Sequence, residues 1–304
     1  MLRDLPDAEE IAAASERLLR AGDARGRLPT PVDDLVEAAG LLASDEMPFD
    51  ESVLRRAPTH LADAVRRLGL KHKVHAMLDR RERLVYVNPT IQQESRRRFR
   101  ALHEVGHDIL PSQREPAFAD NVLTLSWATH LRQERSANQT AAELLFQREL
   151  FRQIAAGYSI GIAAVIELGD LFGASYQATL RRYTETHRAP LAGIVLDHSP
   201  CASEPLSFHR KEAICSSAWE ERFGRPDAWP PILHAPTFSF VREARDAAMW
   251  QSTTSGEFRL PDLANTFHEL QIEAFSNTYS VLVLLWQPQR ERLKRRRRLV
   301  TAAG

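Results

Sequence analysis

Apolar positions along the chain fall into four regimes: helical spacing, two short strand-like runs, helical spacing again, and strand-like runs beyond Pro190. Ile11, Ala14, Leu18 and Leu19 share one side of a helix over residues 7–21. Thr30-Pro31-Val32-Asp33 predicts a second helix start. Thr30 can cap it, Pro31 suits the first helical position, and Asp33 and Asp34 favour the positive end of the dipole. Gly40 is its predicted stop. Residues 44–70 read as a loop and a further helix ending near Gly69. Val74–Met77 and Leu84–Val87 then predict two strands joined at Asp79-Arg80-Arg81-Glu82, a β-hairpin. Asn88-Pro89-Thr90 closes it and opens a helix with Phe99, Leu102, Gly106, Ile109 and Leu110 on one buried face. Pro111 is expected to end that helix, and Ser112–Asn121 to form a loop.

The next helix, His130–Leu145, sets Glu134, Asn138, Ala141 and Leu145 on one stripe. Glu143 lies about half a turn out of phase with Glu134 and is expected at the surface. Gly161–Phe172 and Tyr176–His187 read as two helices joined by Gly173-Ala174-Ser175, with Ser175 as cap, a helix-turn-helix outline. Two helices packing on a core give the same outline. Beyond Pro190 the character changes. Strands are expected at Leu191–Leu196, Phe238–Val241 and Phe258–Leu260, with a hairpin of Leu270–Phe275 and Tyr279–Trp286 across Ser276-Asn277. A helix around Glu212–Phe223 and a Pro-rich loop at Pro226–Pro236 lie between them. The predicted class is α+β. Residues 1–150 would form a mainly helical domain with a small sheet, 151–188 a helix-turn-helix-like segment, 189–290 a separate α+β domain, and 291–304 a basic disordered tail.

Charge changes this picture little. Basic and acidic side chains number 40 each, so the chain as a whole is no polyanion binder. Two local basic runs remain, Arg96-Arg97-Arg98 with Arg100, and Arg292 to Arg298. Solvated surface is the plainer reading of both, with nucleic-acid contact as the alternative. The two cysteines supply no disulfide framework and suit a reducing compartment. The N-terminus lacks a signal-peptide core, and the longest apolar run, Val281–Trp286, is too short to cross a membrane. A cytoplasmic protein without membrane contact is the expectation.

The candidate chemistry is His103-Glu104-Val105-Gly106-His107. Four residues apart on a helix, two imidazoles can converge on one metal ion, with Glu104 beside them as a proton carrier. The motif alone also fits a surface helix with two histidines. A catalytic zinc takes three protein ligands. A further histidine at the usual spacing is excluded, because Leu110 and Gln113 occupy those places. Glu134 is the leading third donor and His130 the alternative, while Asn138 can steady a ligand by hydrogen bonding. His198, Cys201, His209 and Cys215 form a second, irregular set of potential ligands.

Three stretches, Leu84–Asn88, Arg98–His107 and Glu134–Leu145, together resemble the ImmA/IrrE family of metallopeptidases. Thr140 stands where the family has an aromatic residue, and Gln147 where it has proline after the leucine pair. The resemblance covers roughly residues 30–185. It implies a zincin-like domain, a Zn2+ ion on His103, His107 and Glu134, and Glu104 as general base and then proton donor. It also implies a helix-turn-helix repressor as substrate, and a branch of the family carries a GAF-like sensor domain after the peptidase. Tyr86, Tyr183, His130 and His187 remain candidates for stabilising the oxyanion. A non-proteolytic regulator working through the helix-turn-helix segment or the tail is the rival reading.

Overall fold

The computed structural model describes residues 7–44, 75–114, 127–198, 206–250, 252–277 and 279–288. The expected helix within 44–70 and the basic tail therefore lie almost wholly outside the described residues. The chain divides into two compact units, Met1–Thr186 and His187–Gly304, an α+β arrangement in which the first unit is mainly helical.

In the first unit, α1 (Ala8–Ala21) buries Ile11, Ala14, Leu18 and Leu19, as its spacing predicts. α2 (Val32–Ala38) starts without the Thr30 cap. Thr30 is instead fully buried, donates to the Leu145 carbonyl and accepts from Gln147 Nε2, because a helix carrying Leu145 packs over it. Gly40 adopts φ +72°, the left-handed conformation that ends α2. β1 (Leu42–Ser44), which the sequence pattern does not predict, runs parallel to β3 (Leu84–Val87). β2 (Ala76–Asp79) pairs antiparallel with β3, giving the order β1-β3-β2. The hairpin's first strand sits two residues later than expected. Asp79 stays in the ladder opposite Leu84 while its Oδ1 accepts from the backbone N–H groups of Arg81 and Glu82.

α3 (Glu94–Ile109) carries the His-Glu-x-x-His stretch. After it the chain forms a short helix, α4 (Pro111–Arg114), where a loop was expected. α5 (Trp127–Phe146) packs along α3. α6 (Glu149–Ala155) follows, then α7 (Ile162–Phe172) and α8 (Tyr176–Thr186). Ser175 caps α8 through its Oγ, which accepts from Ala178 N. Phe146, Phe151 and Phe172 stack together, joining α5, α6 and α7.

Glu143 corrects the expectation of a surface residue. It is 1% exposed, and its Oε1 lies 2.8 Å from Arg182 Nη2 on α8. The phase argument was right that Glu143 faces away from Glu134, but α5 is covered on that side too, by the helix that brings the counter-charge.

The second unit is a six-stranded antiparallel sheet, formed by β4 (Leu191–Asp197), β5 (Ser207–Cys215), β6 (Ile232–His234), β7 (Thr253–Pro261), β8 (Phe267–Ser276) and β9 (Ser280–Trp286). Its order is β6-β5-β4-β9-β8-β7. The β8–β9 hairpin follows the sequence pattern. Three expectations fail. Residues 207–215 are a strand, and only Ser217–Phe223 is helical (α9), because Ser216 caps it by accepting from Trp219 N. The Pro-rich loop contains a 3-10 turn at Pro226–Ala228 and then β6. Finally Phe238–Val241 is no strand: Phe238 and Phe240 enter the core, and α10 (Val241–Trp250) begins there.

Candidate metal centre

The centre is built across the contact of α3 and α5. Gly106 makes that contact close: a Cβ there would stand 3.0 Å from the Ala137 carbonyl and 3.2 Å from Thr140 Cβ. Both partners on α5 are small, so the helices approach along the side that carries His103, His107 and Glu134. The far end of α3 is tied down by Asp108, whose carboxylate takes Arg83 Nη1 at 2.6 Å and Nη2 at 3.0 Å. Arg83 also donates to the carbonyls of Ala39 and Gly40.

His103 Nε2 and His107 Nε2 face each other at 3.1 Å. Glu134 closes the group, Oε2 at 3.5 Å from His103 and Oε1 at 3.4 Å from His107. One donor atom from each of the three lies within 4.8 Å of the others. The far side of each ring is also fixed. His103 Nδ1 lies 3.0 Å from Asn138 Oδ1, and His107 Nδ1 lies 2.6 Å from Gln113 Oε1. The orientation of Gln113 is set independently, since its Nε2 donates to the Gln133 carbonyl. Amide oxygens only accept, so both Nδ1 atoms carry the proton and both Nε2 lone pairs point into the centre. Two lone pairs at that separation repel unless a cation lies between them. Two imidazoles and a carboxylate are the donor set of a first-row transition ion rather than of calcium or magnesium. The residues therefore fit a metal ion.

The electrostatics follow from the same contacts. A proton that takes the cation's place on Nε2 hydrogen-bonds to Glu134, and such bonds from His103 and His107 hold the Glu134 carboxyl well below the usual carboxylate range. Burial works against a charged His107, yet the bonds to Glu134 and Gln113 together with the Glu104 charge hold its pKa above the ordinary value. Burial pushes the Glu104 carboxyl up, helped by the Glu134 charge and opposed by His103, His107 and Arg100.

His103, Glu104, His107, Glu134 and Asn138 thus come together. His130 lies on α5, but its side chain is outside what is described. Gln113 is the residue that spacing alone missed. It stands where a third histidine would be in another pattern, and it holds His107 instead. Of the oxyanion candidates in this unit, Tyr183 is fully buried in the helical core. The second ligand set does not assemble among the described residues. His209 and Cys215 sit at opposite ends of β5, six residues and about 20 Å apart. His198 Nδ1 lies 3.2 Å from Ser276 Oγ, and Cys201 is outside the described residues.

Residues 62–184, which cover α3, α5, α6, α7 and most of α8, match the family model for the IrrE N-terminal-like domain of peptidase family M78. Over that stretch the chain is similar to an IrrE N-terminal-like domain. Its metal-donor group falls inside that match. No curated protein sequence matches the chain. A solved structure of a Mycobacterium tuberculosis transcriptional regulator is similar at a TM-score of 0.51 and 11% identity, over 92% of this chain and 76% of that one. At that identity the likeness speaks to the fold. Among the described residues, no helix is long and apolar enough to cross a membrane.

Proposed function

We propose that this chain is a zinc-dependent endopeptidase whose substrate is a helix-turn-helix transcriptional repressor. The observation that carries the peptidase reading is the paired Nε2 atoms of His103 and His107, locked from behind by Asn138 and Gln113 and faced by Glu134. That arrangement sits next to a half-buried carboxylate, Glu104, held above its ordinary pKa. His103, His107 and Glu134 would hold the ion. When bound, zinc supplies Lewis acidity toward a carbonyl oxygen and acidifies a water molecule.

Glu104 makes no ion pair with the three donors and is free to handle a proton. Its raised pKa brings it closer to neutrality, where one carboxyl can both accept a proton from the attacking water and return it to the leaving amine. Asn138 and Gln113 keep the two rings from turning, so the donor atoms stay aimed through the catalytic cycle.

The repressor substrate is supported by the IrrE-like match and by the regulator-like fold. It is consistent with a narrow protease rather than a general one. DNA binding through α8 is less well served, because Arg182, one of the two arginines on α8, is spent on the internal pair with Glu143.

The test is direct. The zinc-loaded chain is incubated with small helix-turn-helix proteins, starting with any encoded beside it, and cleavage is followed by mass spectrometry. Glu104→Gln is expected to keep about one zinc per chain and to lose cleavage. A Glu104→Gln protein that still cuts at the wild-type rate removes the proton carrier from this reading.

A further inference from the structure

Arg100 stands apart from the other arginines of its run. Arg98 is a strut, donating to the Thr30 carbonyl. Arg96 reaches His75, Nη2 to Nε2 at 3.0 Å. Arg100 is half-buried and makes no hydrogen bond or ion pair among the described residues. Its position on α3 is specific. It precedes Glu104 by four residues and His107 by seven, so it lies within about 40° of both on the helix surface, and roughly 6 Å along the axis from Glu104. The guanidinium is close enough to feel the charges of Glu104 and Glu134; burial first, and then the charges of Arg96 and Arg100, hold the His75 pKa below its ordinary value. His75, just ahead of β2, offers Arg96 a ring nitrogen and no negative charge.

Half-buried beside the centre, the Arg100 guanidinium has none of its nitrogens among the buried, unpartnered atoms of the described residues, so its donors are open to a partner from outside. A carboxylate from outside would satisfy it, by a forked, charge-assisted pair that lysine cannot copy. Glu104 and Glu134 do not fill that role, because neither pairs with it at contact distance and both have work at the centre.

We propose that Arg100, seconded by Arg96, forms a carboxylate-binding subsite one helical turn from Glu104, which selects an acidic side chain next to the scissile bond. The assignment rests on the peptidase reading of the same centre. It makes Arg100 a specificity-determining residue rather than a participant in bond cleavage.

The test uses binding, so it does not depend on knowing the natural substrate. Short peptide hydroxamates anchor on a catalytic zinc, and a residue X beside the hydroxamate then samples the adjoining subsite. Two series, with X on the amino or the carboxyl side, are titrated calorimetrically into the zinc-loaded full-length chain with X as Asp, Asn, Leu or Lys. In one series Asp is expected to bind tighter than isosteric Asn by roughly tenfold or more at low salt, with the gap narrowing as salt screens the pair. Arg100→Gln should erase the preference, Arg100→Lys should keep part of it, and Arg100→Glu should turn it toward Lys. Zinc content and melting temperature of each variant show that the fold is intact, and the Lys variant, which keeps the charge, guards against a packing effect. Equal binding of Asp and Asn in both series, or a preference that survives Arg100→Gln, overturns the subsite while leaving the zinc centre standing. Failure of every hydroxamate to bind the zinc-treated chain overturns the centre's peptidase reading and the subsite with it.

Discussion

Gly106 on α3 lies against the Ala137 carbonyl on α5 so closely that a single methyl group would stand 3.0 Å from that oxygen. The two helices meet where the ligands cross from one to the other. Gly106→Ala should therefore push the pair apart, with overpacking costing about 1–3 kcal/mol. It should weaken metal binding as well. Thermal melts and zinc titration of the variant check this, and an unchanged melting temperature and zinc affinity would show that the contact can relax for free.

Among the described residues, Glu134 is the only donor contributed by α5. Its replacement by Ala should abolish stoichiometric zinc binding, while Glu134→Asp, which keeps the charge on a shorter arm, should bind weakly. Added zinc should raise the wild-type melting temperature by mass action and should do little for Glu134→Ala. Full zinc retention in Glu134→Ala would assign the third ligand elsewhere, His130 being the first candidate on the same helix.

The amides behind the histidines come next. Asn138→Ala and Gln113→Ala should each lower zinc affinity by roughly 10–100-fold, because each ring loses the acceptor that fixes its tautomer and direction. Competition against a chelator of known affinity measures this. Gln113→Glu provides a contrast, since it keeps an acceptor and adds charge, so the metal should be retained.

The pair Glu143–Arg182 gives a stability prediction. Arg182→Ala leaves buried Glu143 with only Gln139 Nε2 at 3.2 Å and the more distant, exposed Arg148 at 3.8 Å, and should cost up to about 3–5 kcal/mol. Replacing both residues by apolar ones of similar volume should restore most of that loss. Denaturant unfolding of the single and double variants gives the answer, and a single variant as stable as wild type would mean that the buried charge finds another partner.

Asp7 supplies the pH dependence. Its carboxylate accepts from Arg132 and from Ser136 Oγ at 2.8 Å. The Arg132 hydrogen bond, opposed by burial and helped by Ser136, holds it below its ordinary value of 3.8. A carboxyl with a depressed folded-state pKa binds protons more weakly folded than unfolded. Its stabilisation is then complete above pH 3.8, and it is lost as the pH falls through that value and on through the lower folded pKa. Asp7→Asn should be less stable than wild type at neutral pH, and the gap should close in acid. A constant gap from pH 7 down to pH 3 would remove Asp7 from the acid limb.

Much of the centre was legible because its information is local. His103, Glu104 and His107 lie on one helical turn, and the Glu134–Asn138 spacing repeats that turn on α5. The resemblance implied how the two stretches combine. Gln113 and Glu143 escaped because their roles are set by partners far away in sequence or across a helix end. An i, i+9 phase tells which way Glu143 points, and it cannot tell that Arg182 waits there. In the second unit, Phe238-Ser239-Phe240-Val241 alternates like a strand, but both aromatic rings go to one core and the backbone turns into α10. Residues 212–215 read as helix for lack of any stop before Ser216, although their pairing with β4 decides for strand. Pairing across a sheet is a non-local fact, and a local pattern loses to it.

The centre draws two donors from α3 and the third from α5, whose first half is held by Asp7 and whose last turn is held by Thr30 and Gln147. A chain in which these helices have not yet docked offers only the two histidines of one turn, a far poorer chelator than the finished trio. Metal loading would thereby act as a checkpoint on assembly: an ion would be captured only by molecules that have already packed correctly, and once captured it would rivet the two helices whose fit it has tested.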